Sequence, residues 1–220
     1  MAIEQFRTTF SRLDDDRIDR WKSIPTSVVG DSLNRQQVMA SRLKPLIEGK
    51  MVGQALTVSV VGGDNGAIHA AMTVVRPNQI LVIDGNNYTE RALWGGILNK
   101  LALRKKIGGV VIDGAVRDIS DLRSMKLPIY FSAVTPAGPH KGWGGRIGSN
   151  ISCGGISVSS GDIGLGDSDG VVVVPLAAEE RVFKIASALL RKEEEIMSKV
   201  ESGEDLTDIF QYPKIETFSP

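Results

Sequence analysis

The sequence predicts an α/β fold in which parallel strands form a sheet and helices cover it. Two short apolar runs, 80–83 and 110–112, each end in Asp-Gly and are each followed by a stretch with helical features. Strands that alternate with helices are typical of parallel sheets, because a parallel pair needs a long crossover connection. A length of 220 residues with 42% hydrophobic residues is sufficient for a substantial core. We expect one domain over residues 1–220, with its core at about 25–175, a helix at about 177–202 and then a tail.

The elements of the first half follow from this alternation. Thr26 or Ser27 can accept hydrogen bonds from free amides, which favours a helix start at the beginning of 25–37. Pro77 and the pair Gly108-Gly109 each end a helical stretch. In chain order, this half is predicted to contain a helix within 25–37, a strand at 54–61, a helix at 67–75, a strand at 79–85, a helix at 90–106, a strand at 110–114, a helix at 118–125 and a strand at 128–132.

The second half is predicted to be rich in β-structure and loops. Residues 135–150 carry five glycines with little apolar periodicity, which indicates a long ordered loop, and such loops in compact domains are commonly functional. Strands are predicted at 155–158 and 170–175, around turn-rich residues 161–167. Apolar residues at helical spacing follow over 177–202, so this segment is predicted to be an amphipathic helix.

Composition excludes several classes of function. Lys and Arg number 26, as do Asp and Glu, so the formal net charge is zero and binding of nucleic acid through bulk charge is not expected. No apolar run approaches the roughly 20 residues that span a bilayer, and the first residues lack a signal-peptide core. We therefore expect a soluble, cytoplasmic protein without a membrane or nucleic-acid partner. Cys153 is the only cysteine and His69 and His140 lie far apart, so carboxylates would have to hold any metal.

The segment 113–121 carries the residues most suggestive of chemistry. It places Asp113, Arg117, Asp118 and Asp121 at the carboxyl end of a predicted strand, where ligands bind in α/β sheets. Arg117 could hold a small carboxylate or keto acid through its planar guanidinium, and Asp118 could offer oxygen to Mg²⁺ or Mn²⁺. The alternative is that Asp118 only caps the helix that follows, because an acidic side chain is common at a helix N-terminus.

The spacing of these residues resembles that of a known family. Gly96, twenty intervening residues, Arg117-Asp118, two further residues and Asp121 match the pattern G-x20-R-D-x2-D/E of the class II pyruvate aldolases that cleave 4-hydroxy-4-methyl-2-oxoglutarate, which are RraA-like proteins. The same superfamily includes the regulator of ribonuclease activity A and proteins once labelled menaquinone methyltransferases. Further segments that resemble it are 64–69, 92–96, 135–140 and 167–175, so the resemblance covers about 25–175.

The resemblance implies a fold, an assembly and a set of site residues. The fold would be a layered α/β sandwich similar to the swivelling phosphohistidine domain, in trimers or hexamers with active sites at clefts between subunits. Backbone amides of Gly95, Gly96, Ile97 and Leu98 would bind the carboxylate of a 2-keto acid, so that the helix would begin nearer Trp94 than Glu90. Arg117 and Asp118 would be catalytic, Arg117 by binding the keto acid and Asp118 by holding Mg²⁺, Mn²⁺ or another divalent cation. Asp113 and Asp121 would help to hold Arg117 and Asp118 in position without contacting the ligand themselves.

The implied activity is that of a metal-dependent lyase. Cleavage of 4-hydroxy-4-methyl-2-oxoglutarate and decarboxylation of oxaloacetate both pass through the enolate of pyruvate, so one site could perform both. Some family members have an acid where this chain has Gly96, which weakens the expectation of aldol cleavage more than that of metal binding. Glu193, Glu194 and Glu195 are candidates for reaching a neighbouring subunit's metal, although the solvated face of a helix is the preferred explanation for them. The alternative function is a non-catalytic regulator of ribonuclease activity that binds a protein partner.

Overall fold

The computed structural model of the chain describes residues 2–210, 213 and 215–218. Its helices are α1 (Asp15–Asp19), α2 (Thr26–Ser32), α3 (Gly66–Val74), α4 (Gly96–Lys105), α5 (Ile119–Met125), α6 (Glu179–Glu201) and α7 (Leu206–Ile209). Its strands are β1 (Ile3–Gln5), β2 (Lys44–Pro45), β3 (Met51–Val60), β4 (Ile80–Trp94), β5 (Gly109–Val116), β6 (Ile129–Val134), β7 (Gly145–Ile147), β8 (Ile151–Cys153), β9 (Ile156–Val158), β10 (Ile163–Gly166) and β11 (Val171–Val174). Within the described part of the chain, none of the helices combines the length and the apolar character that crossing a bilayer requires.

Four parallel strands, β3 to β6, form the centre of a mixed sheet. The strand order is β1-β7-β3-β4-β5-β6-β2, with β7 antiparallel to β3 and β2 antiparallel to β6. The first half of β3 also pairs with β10, which in turn pairs with β11. The predicted α/β class with parallel pairing is therefore confirmed.

Both faces of the central sheet are covered, which gives the molecule its layers. All eight residues of β5 are buried, as expected of a parallel strand packed on both sides. One buried cluster joins the sheet to α3, α4 and α5, whose core side chains include Ile68, Leu98 and Leu122. A second cluster joins alternate residues of the same strands to the β8–β9 hairpin. A third lies between β10, β11, α2 and α6.

The predicted helix at 90–106 is wrong in its first turn. Residues 90–94 complete β4, and α4 begins at Gly96. Beyond Asp84, β4 bulges away from β5 and then returns, so that Ala92 pairs with Ala115 and Trp94 with Val116. Leu93 and Trp94, whose spacing in the sequence predicted a helix, are instead buried on this returning part of β4.

The predicted turn at 161–167 contains a strand instead. β10 occupies Ile163–Gly166, and its two glycines face close neighbours. A Cβ on Gly164 would lie 2.1 Å from Ile80 Cδ1, and one on Gly166 would lie 2.5 Å from the ring of Tyr130. These glycines therefore permit tight packing within a strand, although in the sequence they are typical of turns.

Candidate active site

The ends of β4 and β5 bring the first turns of two helices together. Trp94 ends β4 immediately before α4, and Val116 ends β5 just before α5. The backbone amide of Arg117 donates to the carbonyl of Trp94 over 3.0 Å, which ties the two strand ends to each other. A cleft at this edge is lined by backbone and side chains of Asn65, His69, Ala92, Leu93, Trp94, Gly95, Gly96, Ile97, Leu98, Arg117, Asp118, Pro139 and Lys141. The structure thus brings together Gly95, Gly96, Ile97, Leu98, Arg117 and Asp118, as the sequence led us to expect.

Asp118 connects the two helices in an unexpected way. Its side chain makes no capping hydrogen bond to α5, the helix that follows it. Its Oδ2 atom instead accepts a hydrogen bond of 2.9 Å from the amide of Gly96, so this carboxylate caps α4. The backbone at Asp118 is left-handed, with φ at 60°, a conformation that aspartate tolerates better than most residues. Such strain at the edge of a cleft is typical of functional positions.

Arg117 and Asp118 have adjacent charges and remain open to the cleft. Arg117 Nε lies 3.7 Å from Asp118 Oδ2, and the two side chains are 40% and 41% exposed. The Oδ1 atom of Asp118 accepts no hydrogen bond from the described residues, which leaves it available to a ligand. The amides of Ile97 and Leu98 lie in the first turn of α4, where a helix has no acceptor of its own. This combination suits an anion and a divalent cation side by side.

Glycines leave room for these two side chains. A Cβ on Gly95 would lie 2.7 Å from Asp118 Oδ2 and 3.1 Å from Arg117 Cγ. A Cβ on Gly138 would lie 2.9 Å from Arg117 Nη1. A Cβ on Gly96 would have more space, at 3.6 Å from Asp118 Oδ2 and 3.9 Å from Asp121 Oδ2, so Asp121 also lies near the start of α4.

Asp113 lies among a different set of contacts. Its carboxylate, 6% exposed, pairs with Arg42 over 2.8 Å. It also accepts from the amide of Gly154 over 2.8 Å and from the hydroxyl of Ser132 over 3.2 Å. Burial raises the pKa of neighbouring Asp84. A hydrogen bond from a backbone amide opposes this shift, and the negative charge of Asp113 adds to it. The described contacts of Asp113 therefore link β5 to the β8–β9 hairpin and do not include Arg117 or Asp118.

A further group of cleft residues comes from α3 and from the loop at 135–144, which is shorter than the predicted loop because β7 begins at Gly145. The loop is anchored on buried Asp64, which accepts hydrogen bonds from the amides of Gly66, Gly142 and Trp143. Burial raises the pKa of Asp64, but these amides outweigh it and hold the pKa below its usual value. Because the loop is held in this way, Lys141 lines the cleft beside His69.

Two histidines of the sequence differ in their surroundings. Burial, and after it the positive charge of Lys141, lowers the pKa of His69. This shift favours the neutral form of the His69 imidazole. His140 instead stacks on Trp143, with ring centroids 4.3 Å apart, and is not among the residues that line the cleft.

Asn65 was not among the sequence-based candidates. Its Nδ2 atom donates to the carbonyl of Leu93 over 3.0 Å, while its Oδ1 atom is buried and has no partner among the described residues. The available signal was the string Asp64-Asn65-Gly66 at a predicted turn, but nothing in it indicates that the amide would be left with a free acceptor.

The donor set suits a cation that keeps much of its water. Within the described residues, no three or more His, Cys, Asp or Glu side chains are grouped closely enough to enclose a metal ion. Asp118 offers one carboxylate oxygen to the cleft, and Mg²⁺ is commonly bound by one or two carboxylates together with waters and substrate oxygens. These residues therefore fit Mg²⁺ and do not fit an ion that needs a closed protein shell, such as structural zinc. Glu193, Glu194 and Glu195 lie exposed on the outer half of α6.

Comparison with known proteins identifies relatives of the chain. A family model described as RraA-like, Aldolase/RraA, matches residues 26–173. A protein of Halalkalibacterium halodurans with the provisional name 4-hydroxy-4-methyl-2-oxoglutarate aldolase is 38% identical over 177 residues, which cover 80% of this chain and 84% of the relative. A Thermus thermophilus protein named 4-hydroxy-4-methyl-2-oxoglutarate aldolase is 32% identical over 126 residues, or 57% of this chain and 76% of the relative.

The solved structures support the same relationship. The RNA-processing inhibitor RraA from Thermus thermophilus is 28% identical to this chain, with a TM-score of 0.63 over 69% of this chain and 92% of that one. The family resemblance predicted from the sequence is confirmed by these matches.

Proposed function

The chain belongs to the RraA-like family, and on this premise we propose that it is a divalent-metal-dependent lyase acting on a 2-keto acid. Its substrates would be of the 4-hydroxy-4-methyl-2-oxoglutarate type, cleaved to pyruvate, or oxaloacetate, decarboxylated to pyruvate. The observation that carries the proposal is the convergence of Arg117, the free Oδ1 atom of Asp118 and the first-turn amides of α4 in one cleft.

Each of these groups has a distinct role in the proposal. The amides of Ile97 and Leu98 and the guanidinium of Arg117 would bind the carboxylate and keto group of the substrate. Asp118 would hold Mg²⁺ or another divalent cation, while its Oδ2 atom keeps α4 in place through Gly96. A divalent cation bound there supplies a Lewis acid that polarises the keto oxygen.

The same enolate accounts for both reactions. In aldol cleavage the hydroxyl on C4 loses its proton, the C3–C4 bond breaks, C4 becomes a carbonyl and the electron pair forms the enolate of pyruvate. In oxaloacetate the same bond releases carbon dioxide and leaves the same enolate. A proton then returns to C3. Arg117, next to the oxygen that becomes negative, would stabilise the enolate electrostatically.

We also propose a homo-oligomer, a trimer or hexamer, in which a neighbouring subunit completes the cleft. Ile97 is 77% exposed at the cleft although it is apolar, and Asp118 is the one acidic residue among the described residues that line the cleft. Sedimentation equilibrium tests this assembly. A mass three or six times that of the 23.7 kDa chain supports it, and a monomer contradicts it.

The lyase proposal is tested by pyruvate release from 4-hydroxy-4-methyl-2-oxoglutarate and from oxaloacetate, with Mg²⁺ or with EDTA. We expect release that requires Mg²⁺ and falls at least about 100-fold in Asp118→Asn and in Arg117→Ala, since Asp118 would hold the cation and Arg117 would contact the developing negative charge. Asp31→Asn and Arg35→Ala, an exposed ion pair elsewhere in the chain, serve as controls and should leave release unchanged.

Three results would contradict the proposal. Release that persists in EDTA would point to imine chemistry at Lys141, the lysine that the fold places in the cleft. Release that survives both substitutions would exclude this cleft as the site. No release from either substrate, together with tight binding of a ribonuclease, would favour the regulator function. The related RraA of Thermus thermophilus is named as an inhibitor of RNA processing.

A further inference from the structure

The side-chain oxygen of Asn65 has no hydrogen-bond donor within the described part of the chain. Asn65 is 5% exposed, and its buried Oδ1 atom has no hydrogen-bond partner among the described residues. Buried polar atoms in native proteins are almost always partnered, so an unpartnered one calls for an explanation. Because Asn65 also lines the candidate cleft, a bound ligand is one such explanation.

The orientation of this amide is settled by its neighbour. The carbonyl of Leu93 can only accept a hydrogen bond, so the atom 3.0 Å from it must be the Nδ2 of Asn65. An exchange of the two amide atoms would place oxygen against oxygen. Asn65 therefore holds Oδ1, an acceptor without donor capacity, in the wall of the cleft that this residue lines.

We propose that Oδ1 of Asn65 accepts a hydrogen bond from the hydroxyl on C4 of a 4-hydroxy-2-oxo acid and so selects this substrate class. The inference rests on the proposed lyase function and goes beyond it by assigning a specificity residue. Arg117, Asp118 and the amides of α4 serve the end of the molecule that becomes pyruvate, which both candidate substrates share. Asn65 acts on the part in which they differ.

Oxaloacetate cannot make this contact. Its C4 is an ionised carboxylate, so it would present a second acceptor to Oδ1. A 4-hydroxy acid presents a donor, and a site built to bind a hydroxyl group rejects analogues that lack one. An amide oxygen is too weak a base to keep the proton, so Asn65 orients the hydroxyl and does not remove its proton. Lys141 supplies positive charge in the same cleft for a second carboxylate of the substrate.

The test compares two substrates in the same variants. In Asn65→Ala we expect the ratio of kcat/KM for 4-hydroxy-4-methyl-2-oxoglutarate to that for oxaloacetate to fall at least about 10-fold. Asn65→Asp retains an oxygen acceptor, so its ratio should stay within about 3-fold of the wild-type value even where both rates fall through loss of the bond to Leu93. Asn65→Leu, which is close to asparagine in shape and carries no acceptor, replaces Asn65→Ala should that variant fail to give a cooperative melt.

Asn99 provides a matched control. It is a second fully buried asparagine, but its Oδ1 accepts from Trp94 Nε1 over 3.2 Å and its Nδ2 contacts Met125 Sδ over 3.3 Å. Asn99→Ala should therefore disturb the start of α4 and lower both reactions without changing their ratio.

The outcomes separate this inference from the function on which it rests. An equal loss of both reactions in Asn65→Ala would show that Asn65 has a structural role. An unchanged ratio at full activity would show that Oδ1 of Asn65 binds water and does not contact the substrate. Wild-type turnover of oxaloacetate alone would overturn the hydroxyl contact and leave the lyase proposal standing. Absence of pyruvate from either substrate would overturn both.

Discussion

Single residues at the cleft matter as much through the space they leave as through their charge. Gly95 has φ at −166°, an extended conformation that alanine also adopts, so its substitution is not resisted by the backbone. Its Cβ would instead meet Asp118 Oδ2 at 2.7 Å and Arg117 Cγ at 3.1 Å. Both are atoms of side chains that can rotate, so the fold can absorb a methyl group while the site cannot keep its geometry.

We therefore expect Gly95→Ala to separate activity from stability. Pyruvate release should fall at least about 10-fold, because displacement of catalytic groups by an ångström is costly, while the melting temperature changes little. Gly142→Ala is the matched control, since a Cβ at Gly142 meets no atom within 4 Å. Full activity of Gly95→Ala in a pyruvate assay would show that Arg117 and Asp118 do not act from the positions described.

Sequence reasoning located some of these residues and missed others for physical reasons. Arg117 and Asp118 are adjacent in the chain and follow a strand, so spacing alone placed them at the edge of the sheet. Asn65 lies near them only in the folded chain. The Leu93 carbonyl that orients its side chain follows 28 residues later in the sequence. Its significance depends on an acceptor left without a partner, which is a property of packing and has no signature in the chain.

Among the secondary-structure elements, strands with plain apolar runs were predictable and those with glycine were not. The runs 80–83 and 110–112 lie in the first halves of β4 and β5, because parallel strands buried on both faces need continuous apolar residues. The return of β4 at Ala92 to Trp94 depends on a bulge and on pairing with β5, which are not local. β7 and β10 are short and contain glycine, so their pairing with β3 could not be distinguished from loop structure.

The last long helix, α6, is joined to the N-terminal segment by a buried carboxylate. Glu179 has a side chain 1% exposed and pairs with both Arg17 and Arg20. Its Oε1 atom also accepts from Trp21 Nε1 over 3.1 Å. Arg20 lies 4.0 Å above the ring of Phe183 on the same helix, so the contact combines charge and packing.

We expect Glu179→Gln to lower the free energy of unfolding by about 2 to 3 kcal/mol, because it leaves two guanidinium groups without their buried counter-charge. Urea denaturation measures this loss. Glu180→Gln removes an exposed partner of Arg20 and should leave the free energy of unfolding nearly unchanged. Equal effects of the two substitutions would show that the burial of Glu179 adds nothing to the attachment of α6.

For the molecule as a whole, the cleft gathers parts that are distant in sequence. It takes groups from α3, from the junctions β4–α4 and β5–α5, and from the loop at 135–144. Unfolding disperses all of them, so a ligand of the cleft binds the native state alone and stabilises the whole fold by mass action.

This linkage gives a test that needs no turnover. Pyruvate at about 100 times its dissociation constant, added to the protein in saturating Mg²⁺, should stabilise the native state by about 2.7 kcal/mol relative to Mg²⁺ alone, which corresponds to a rise in melting temperature of about 5 to 11 °C for a chain of this size. The same pyruvate concentration without Mg²⁺ should give less stabilisation, since the cation at Asp118 and the keto acid at Arg117 would bind next to each other in the cleft. Asp118→Asn should abolish the added effect of Mg²⁺, while Arg35→Ala should keep it. An undiminished Mg²⁺ effect in Asp118→Asn would place the cation elsewhere, and the enolate chemistry would then have to be sought away from β4 and β5.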